Sequence, residues 1–246
     1  MCTLSWQTAA DGYRLWFNRD ERRDRPPAAP PAPLRIDGMA CLAPRDGAGG
    51  TWLLVNARGM SLGLLNHYPG EGADMPAAPR SRGLIPLACA GSASAVEALA
   101  CCAEMDLAAW RPFLLVAVDT GEAALLTWDG RTPALSPLPN GGGMVTSSSW
   151  RPEAVAQARR AAFRRLVGEA PGAAPERLEA FHRHRGAEPA AGIRMARPDA
   201  CTHSIARIEV SWRERIARFR YEPQTEIQPV PPVTTTHLLL EKPGHA

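Results

Sequence analysis

The first 21 residues constrain this chain most, because they predict a β-hairpin that returns a polar run to the N-terminus. Apolar and polar residues alternate over positions 3–7 and again over 13–18, as they do in half-buried strands. Asp11-Gly12 lies between the two runs, and Asp-Gly is a favoured two-residue hairpin turn. The sequence therefore predicts that the end of the second strand lies beside Cys2.

The register of the hairpin decides which side chains accompany Cys2. With Asp11-Gly12 as the loop, Glu21 is expected to face Cys2 directly. Arg19 then shares that face of the sheet, whereas Asp20 points to the other face unless a bulge intervenes. A slip of one residue would reverse the assignment, because side chains alternate along a strand.

Cys2 has the chemistry of a nucleophile if Met1 is removed. A free α-amino group has a pKa of about 7.7–8.0, which suits a general base, and a thiol titrates at about 8.5. A nearby arginine favours the thiolate and can position a substrate carbonyl or carboxylate. A nearby carboxylate can orient the amine or the arginine. The alternative interpretation is a buried, inert cysteine followed by a solvated charge run.

Five different short motifs lie in the first third of the chain. They are residues 1–3 (Met-Cys-Thr), 18–21 (Asn-Arg-Asp-Glu), 24–26 (Asp-Arg-Pro), 49–53 (Gly-Gly-Thr-Trp-Leu) and 81–83 (Ser-Arg-Gly). Together they resemble the NRDE family, also called the transport and Golgi organisation family. The resemblance is dense over residues 1–83 and thinner to about residue 221.

The resemblance implies a fold and a site. The family is similar to the N-terminal nucleophile (Ntn) hydrolases, which implies an α+β fold, a four-layer αββα sandwich with mainly antiparallel sheets. The cysteine branch of that superfamily includes bile-salt and penicillin V amidases. The resemblance thus implies that Cys2 is the nucleophile, Arg19 and Asp20 are its polar partners, and Asn66 contributes to an oxyanion hole. Glu21 is the alternative to Asp20.

One departure from the amidase pattern concerns the oxyanion hole. Ntn amidases usually supply a second asparagine from a later strand, but residues 145–150 contain serines there. Asn140, Ser147 and Ser148 are the candidates to replace it. The loss of one oxyanion donor typically lowers the rate by a factor of about a hundred to a thousand.

The expected function is a cysteine Ntn hydrolase that cleaves a non-peptide carbon–nitrogen amide bond after removal of Met1. The alternative is a non-catalytic binding or carrier protein for lipid or haem on the same fold. The expected partner is accordingly a small-molecule amide substrate or an apolar ligand, and no cofactor or metal is expected.

Composition limits the remaining classes. The 246 residues, 45% hydrophobic and 22% charged, predict one domain over 1–246 with a sizeable core. A net charge of +3 is too mild to indicate nucleic-acid binding. No apolar run reaches the roughly 18 residues that a membrane span needs. Six cysteines without disulfide or metal-ligand spacing, and no secretory signal, predict a cytoplasmic location.

Four further segments carry expectations. The prolines of residues 22–35 predict an extended loop and not a strand. Residues 152–167 predict a helix with a solvated basic side that includes Arg159. His182 is expected to be exposed. Residues 233–240 predict a closing edge strand.

Overall fold

The computed structural model of the protein describes residues 2–69, 76–77, 79–168, 174–224 and 232–241. Within them the strands form two antiparallel sheets. The first sheet contains β1 (Cys2–Ala9), β2 (Gly12–Arg22), β10 (Gly142–Ser147), β11 (Ala200–Ser211), β12 (Ile216–Pro223) and β13 (Thr234–Leu239). The second contains β3 (Ala29–Ile36), β4 (Met39–Arg45), β5 (Leu53–Asn56), β6 (Ser61–Asn66), β7 (Phe113–Val118), β8 (Ala123–Trp128) and β9 (Pro133–Pro137). The helices are α1 (Ile85–Ala88), α2 (Ala95–Ala103), α3 (Pro152–Leu166) and α4 (Pro175–Arg183).

The two sheets pack face to face and each is covered on its outer side by helices. Leu4, Phe17 and Phe219 of the first sheet pack against Leu53 and Val116 of the second. Helices α1 and α2 cover the seven-stranded sheet, and α3 and α4 cover the six-stranded sheet. This is the predicted α+β fold, a four-layer αββα sandwich. No helix in the described part of the chain is both long enough and apolar enough to span a membrane.

Strand β1 lies between two layers, so both of its faces are buried. Leu4 and Trp6 enter the layer between the sheets, whereas Thr3 and Ser5 contact side chains of the helix layer. The alternation of apolar and polar residues therefore separates an apolar face from a polar but equally buried one. Polar side chains on such a face need hydrogen-bond partners, because an unpaired buried polar group is costly.

The predicted register of the first hairpin is wrong by two residues. Ala9 pairs with Gly12, so Cys2 faces Arg19 and not Glu21. The physical reason is that Gly12 belongs to β2 and not to the turn. A Cβ atom at this position would overlap the carbonyl oxygen of Val210. The glycine thus permits close approach of β11 and does not form the turn.

Two of the predictions made away from the candidate site concern strands at the sheet edges. The loop predicted for residues 22–35 is wrong over 29–35, which belong to β3 at the edge of the second sheet. An edge strand tolerates proline because one of its sides needs no backbone donors. The closing strand predicted for residues 233–240 is confirmed as β13, at the edge of the first sheet.

Candidate active site

A cavity of about 620 Å³ lies at the Cys2 end of β1. The four predicted site residues, Cys2, Arg19, Asp20 and Asn66, all line it. Cys2 and Arg19 come from adjacent strands of the first sheet, and Asn66 comes from the end of β6 in the second. The site is therefore assembled where the open edge of the inter-sheet layer meets solvent.

The thiol of Cys2 is almost completely buried, with 7% of the residue exposed. Burial raises the pKa of the thiol, and the charges of Asp20 and Glu21 raise it further. The positive charge of the chain terminus and a hydrogen bond from the Asp20 backbone act in the opposite direction. The thiol is thus protonated at neutral pH, and its activation requires a base that lies close to the sulfur.

Arg19 pairs with Cys2 across β1 and β2, and its guanidinium is held from two sides. It stacks over the ring of Trp52, 4.3 Å from the ring centroid. Its Nη2 atom lies 3.4 Å from a carboxylate oxygen of Glu21, which also pairs with Arg25. Its buried Nη1 atom has no hydrogen-bond partner among the described residues. That donor is available to a carbonyl or carboxylate oxygen of a ligand.

The carboxylate of Asp20 points to the other face of the sheet, as the alternation of side chains predicts. It pairs with the fully buried Arg159 at 3.2 Å and accepts a 2.7 Å hydrogen bond from Thr202. Burial raises the pKa of Asp20, while Arg159 and the charge of the chain terminus lower it. That terminal charge is the α-amine of Met1, so the coupling belongs to the chain before Met1 is removed.

Arg159 is a residue that the sequence reading misassigned. The prediction that its side chain is solvated is wrong, because Arg159 is 0% exposed and its guanidinium is fully hydrogen-bonded. Besides Asp20, its acceptors are Thr3 Oγ1, Thr146 Oγ1 and the carbonyl oxygens of Ala191 and Gly192. Val155, Arg159 and Ala162 follow helical spacing along the buried stripe of α3, and this pattern was the available signal.

His182 is also buried, contrary to expectation, and belongs to a second polar cluster. Its Nδ1 atom lies 2.8 Å from Asn18 Oδ1, and its Nε2 atom lies 2.7 Å from Ser5 Oγ. Asn18 donates from Nδ2 to the carbonyl oxygens of His182 and Ile193, so its Oδ1 must accept. His182 thus carries its proton on Nδ1 and accepts from Ser5. The cluster fixes α4 to β1 and β2.

The burial of His182 predicts a pH dependence of stability. Burial, and then the charge of Arg159, lowers the pKa of His182 from 6.5 to about 3. Below pH 6.5 His182 binds a proton in the unfolded chain but not in the native state, so the free energy of unfolding falls as the pH decreases toward 3. We expect wild type to lose about 2 to 3 kcal/mol more than His182→Gln between pH 7 and pH 4.5.

Urea unfolding of both proteins at several pH values measures this difference. The comparison removes the contribution of the other titrating groups, which both proteins share. Parallel pH profiles for wild type and His182→Gln would contradict the assignment of a neutral buried imidazole.

The three candidates for a second oxyanion donor occupy different places. Ser147 faces Cys2 across β10, and its buried hydroxyl has no hydrogen-bond partner among the described residues. Ser148 donates to the carbonyl oxygen of Trp150 within a local turn. Asn140 is exposed and lies beyond the opposite end of β10, where Gly142 pairs with Gln7. Of the three, Ser147 is the one that pairs with Cys2 in the strand register, although none of the three is among the residues that line the cavity.

The fold around this cavity is Ntn-hydrolase-like. Penicillin V acylase from Agrobacterium tumefaciens has a similar structure, with a TM-score of 0.53 and 10% identity over 96% of this chain and 90% of the acylase. A variant of conjugated bile acid hydrolase from Clostridium perfringens gives a TM-score of 0.52 and 11% identity, over 96% and 92% of the two chains. At these identities the likeness shows the fold.

The sequence identifies the family. The model of the family described as Transport and Golgi organisation 2 matches residues 1–180, and the chain belongs to this family. The resemblance carried by the N-terminal motifs is thereby confirmed. A search of curated proteins finds no match to this chain.

Proposed function

We propose that the protein is a cysteine Ntn hydrolase that cleaves a non-peptide carbon–nitrogen amide bond after removal of Met1. One observation carries the proposal: Cys2 lines a cavity of about 620 Å³ directly opposite Arg19, whose buried Nη1 donor has no partner among the described residues. The similarity of the fold to an acylase and a hydrolase supports it.

In this mechanism the free α-amine of Cys2 acts as the base. It takes the thiol proton, and the thiolate attacks the amide carbonyl to give a tetrahedral intermediate. The resulting ammonium group gives the proton to the departing nitrogen as the carbon–nitrogen bond breaks. The amine then takes a proton from water, the hydroxide attacks the thioester, and the released thiolate is reprotonated. A base on the same residue meets the need created by the raised pKa of the thiol.

The acidic neighbours of Cys2 have separate roles in this proposal. In this proposal Asp20 orients the new ammonium group of Cys2, and Arg159 positions Asp20. Glu21 instead holds Arg19 against Trp52, so that Nη1 points toward the substrate. Asp20 is therefore the partner of the amine, and Glu21 is the partner of the arginine.

The oxyanion of the tetrahedral intermediate requires donors on the cavity side of Cys2. Asn66 lines the cavity and its Nδ2 atom lies 3.4 Å from the Tyr68 hydroxyl. This long contact leaves the amide free to turn toward an oxyanion. The hydroxyl of Ser147 is the second donor in this proposal, because it is buried, unpartnered and opposite Cys2.

Ser147→Ala is expected to lower kcat by a factor of about a hundred to a thousand, as the loss of one oxyanion donor does. The unfolding free energy should change by less than about 1 kcal/mol, because the hydroxyl has no protein partner to lose. Ser148→Ala is the matched control, since that hydroxyl is used in a local turn. Unchanged kcat in Ser147→Ala would remove Ser147 from the mechanism.

A carrier of lipid or haem on the same fold is less well supported. Eleven of the 22 described residues that line the cavity are charged, which disfavours an apolar ligand. Incubation of the mature protein with a panel of amides, analysed by mass spectrometry, separates the two functions. The hydrolase releases an acid and an amine in equal amounts, whereas a carrier binds a compound and returns it unchanged.

A further inference from the structure

The charges that line the cavity are unbalanced. Among the residues that the structure describes, seven arginines but only four acidic residues contribute to its wall. Four of the arginines form ion pairs, namely Arg19–Glu21, Arg22–Asp24, Arg25–Asp46 and Arg197–Asp199. The other three, Arg80, Arg82 and Arg111, form no ion pair with any residue that the structure describes. A group of unpaired cations in a cavity creates a positive field that attracts anions.

Arg82 is held at the inner part of this group by backbone contacts. Its Nη1 atom donates to the carbonyl oxygen of Pro112 at 2.8 Å, which leaves the other donors of the guanidinium available. The next residue, Gly83, lies against Gly50, where an added Cβ would come within 3.0 Å of the Gly50 Cα. Burial lowers the pKa of Arg82, and Arg111 lowers it further, as expected for neighbouring cations.

Arg80 and Arg111 line the same cavity as Arg82, and each is associated with Trp110. The Arg80 guanidinium lies 5.2 Å from the ring centroid of Trp110, and the Arg80 amide donates to the carbonyl of Ala109 at 2.9 Å. Arg111 follows Trp110 directly in the chain and is exposed. Stacking holds the Arg80 guanidinium in place while its N–H donors remain available.

We propose that Arg80, Arg82 and Arg111 bind an anionic group of the substrate, a carboxylate or a phosphate. The planar guanidinium fork suits both groups, since it can donate two parallel hydrogen bonds to their oxygens. The inference deepens the proposed function and rests on it where it concerns turnover. The substrate is then an amide whose scissile bond lies at Cys2 and whose negative charge lies at these three arginines, which we call the arginine wall.

Binding can be tested without any chemistry. Inorganic phosphate and succinate are titrated by calorimetry into the Cys2→Ala full chain, and their relative affinities distinguish a phosphate from a carboxylate. We expect one of these anions to bind, and Arg111→Met in the same background to weaken it at least tenfold, the effect of losing a charge-assisted hydrogen bond. Arg111 is exposed, so its replacement does not threaten folding. Arg177→Met, on the exposed side of α4, is the matched control.

Turnover tests the same site in a second way. For an amide that is hydrolysed, kcat/KM is compared between the anionic compound and its neutral ester, which is the methyl ester of a carboxylate or the dimethyl ester of a phosphate. We expect the anion to be preferred by about ten- to a hundredfold, and the ratio to fall toward one in Arg82→Met and in Arg111→Met. A ratio measured within one variant does not depend on how much of that variant folds.

The two proposals fail separately. Anion binding without hydrolysis of any amide would keep the arginine site and overturn the hydrolase. Hydrolysis without a preference for the anion, or equal anion affinity in Arg111→Met and Arg177→Met, would overturn the arginine site and keep the hydrolase.

Discussion

Cys2→Ala is expected to abolish amide hydrolysis while the protein stays folded. Loss of a covalent nucleophile removes the reaction path itself, so kcat should fall by about ten-thousand-fold or more. The cavity lining contains no other cysteine among the described residues, so no second thiol can substitute. The change removes one sulfur atom at the edge of the core, and the cost in stability should be about 1 kcal/mol. Steady-state kinetics and urea unfolding of the same preparation measure both effects.

Cys41→Ala is the matched control for this experiment. Cys41 is fully buried between the seven-stranded sheet and its helices and does not line the cavity. The Cys41→Ala variant should keep the kcat of wild type and differ only in stability. If Cys2→Ala hydrolyses the amide within tenfold of wild type, the sulfur is not the nucleophile.

Arg159→Met is expected to lower the free energy of unfolding by about 3 to 5 kcal/mol, the typical cost of breaking a buried ion pair from one side. The methionine fills much of the same volume but leaves the Asp20 carboxylate buried without its cation. Thr3, Thr146 and the carbonyl of Gly192 also lose their donor. Urea unfolding at pH 7 measures the loss.

Arg160→Met provides a control that differs by one position on the same helix. Arg160 is exposed, and its replacement should change stability by no more than about 0.5 kcal/mol. Adding Asp20→Asn to Arg159→Met should recover at least about 1 kcal/mol, since no buried charge then remains. Equal stability of Arg159→Met and Arg160→Met would show that the buried pair does not stabilise the fold.

Much of the site follows from the alternation of side chains along β2. Although the predicted register is wrong by two residues, an even shift leaves each side chain on its face of the sheet. Arg19 and Glu21 therefore still lie on the side of Cys2, whereas Asn18 and Asp20 face the helix layer. The error arose because a local rule about Asp-Gly turns competes here with the close packing of β11 against Gly12.

The partners on the helix layer were harder to predict. Arg159 and His182 are residue types that are usually exposed, and only a satisfied polar cluster makes their burial possible. Their partners, Asp20 and Asn18, lie more than a hundred residues away in the sequence. Periodicity along α3 marks the buried stripe, but it does not predict which acceptors bind the Arg159 guanidinium. The arginine wall is equally non-local, because it depends on how residues 79–83 pack beside Trp110.

The most direct test of the account is the identity of the N-terminal residue in the mature protein. Mass spectrometry of the intact chain and of its N-terminal peptide shows whether Met1 has been removed. Condensation with an aldehyde then shows whether an amine and a thiol occupy one residue, because together they close a thiazolidine ring. We expect a chain that lacks Met1 and gains one such ring, which Cys2→Ala does not form. Retention of Met1 in a preparation that hydrolyses amides would contradict it.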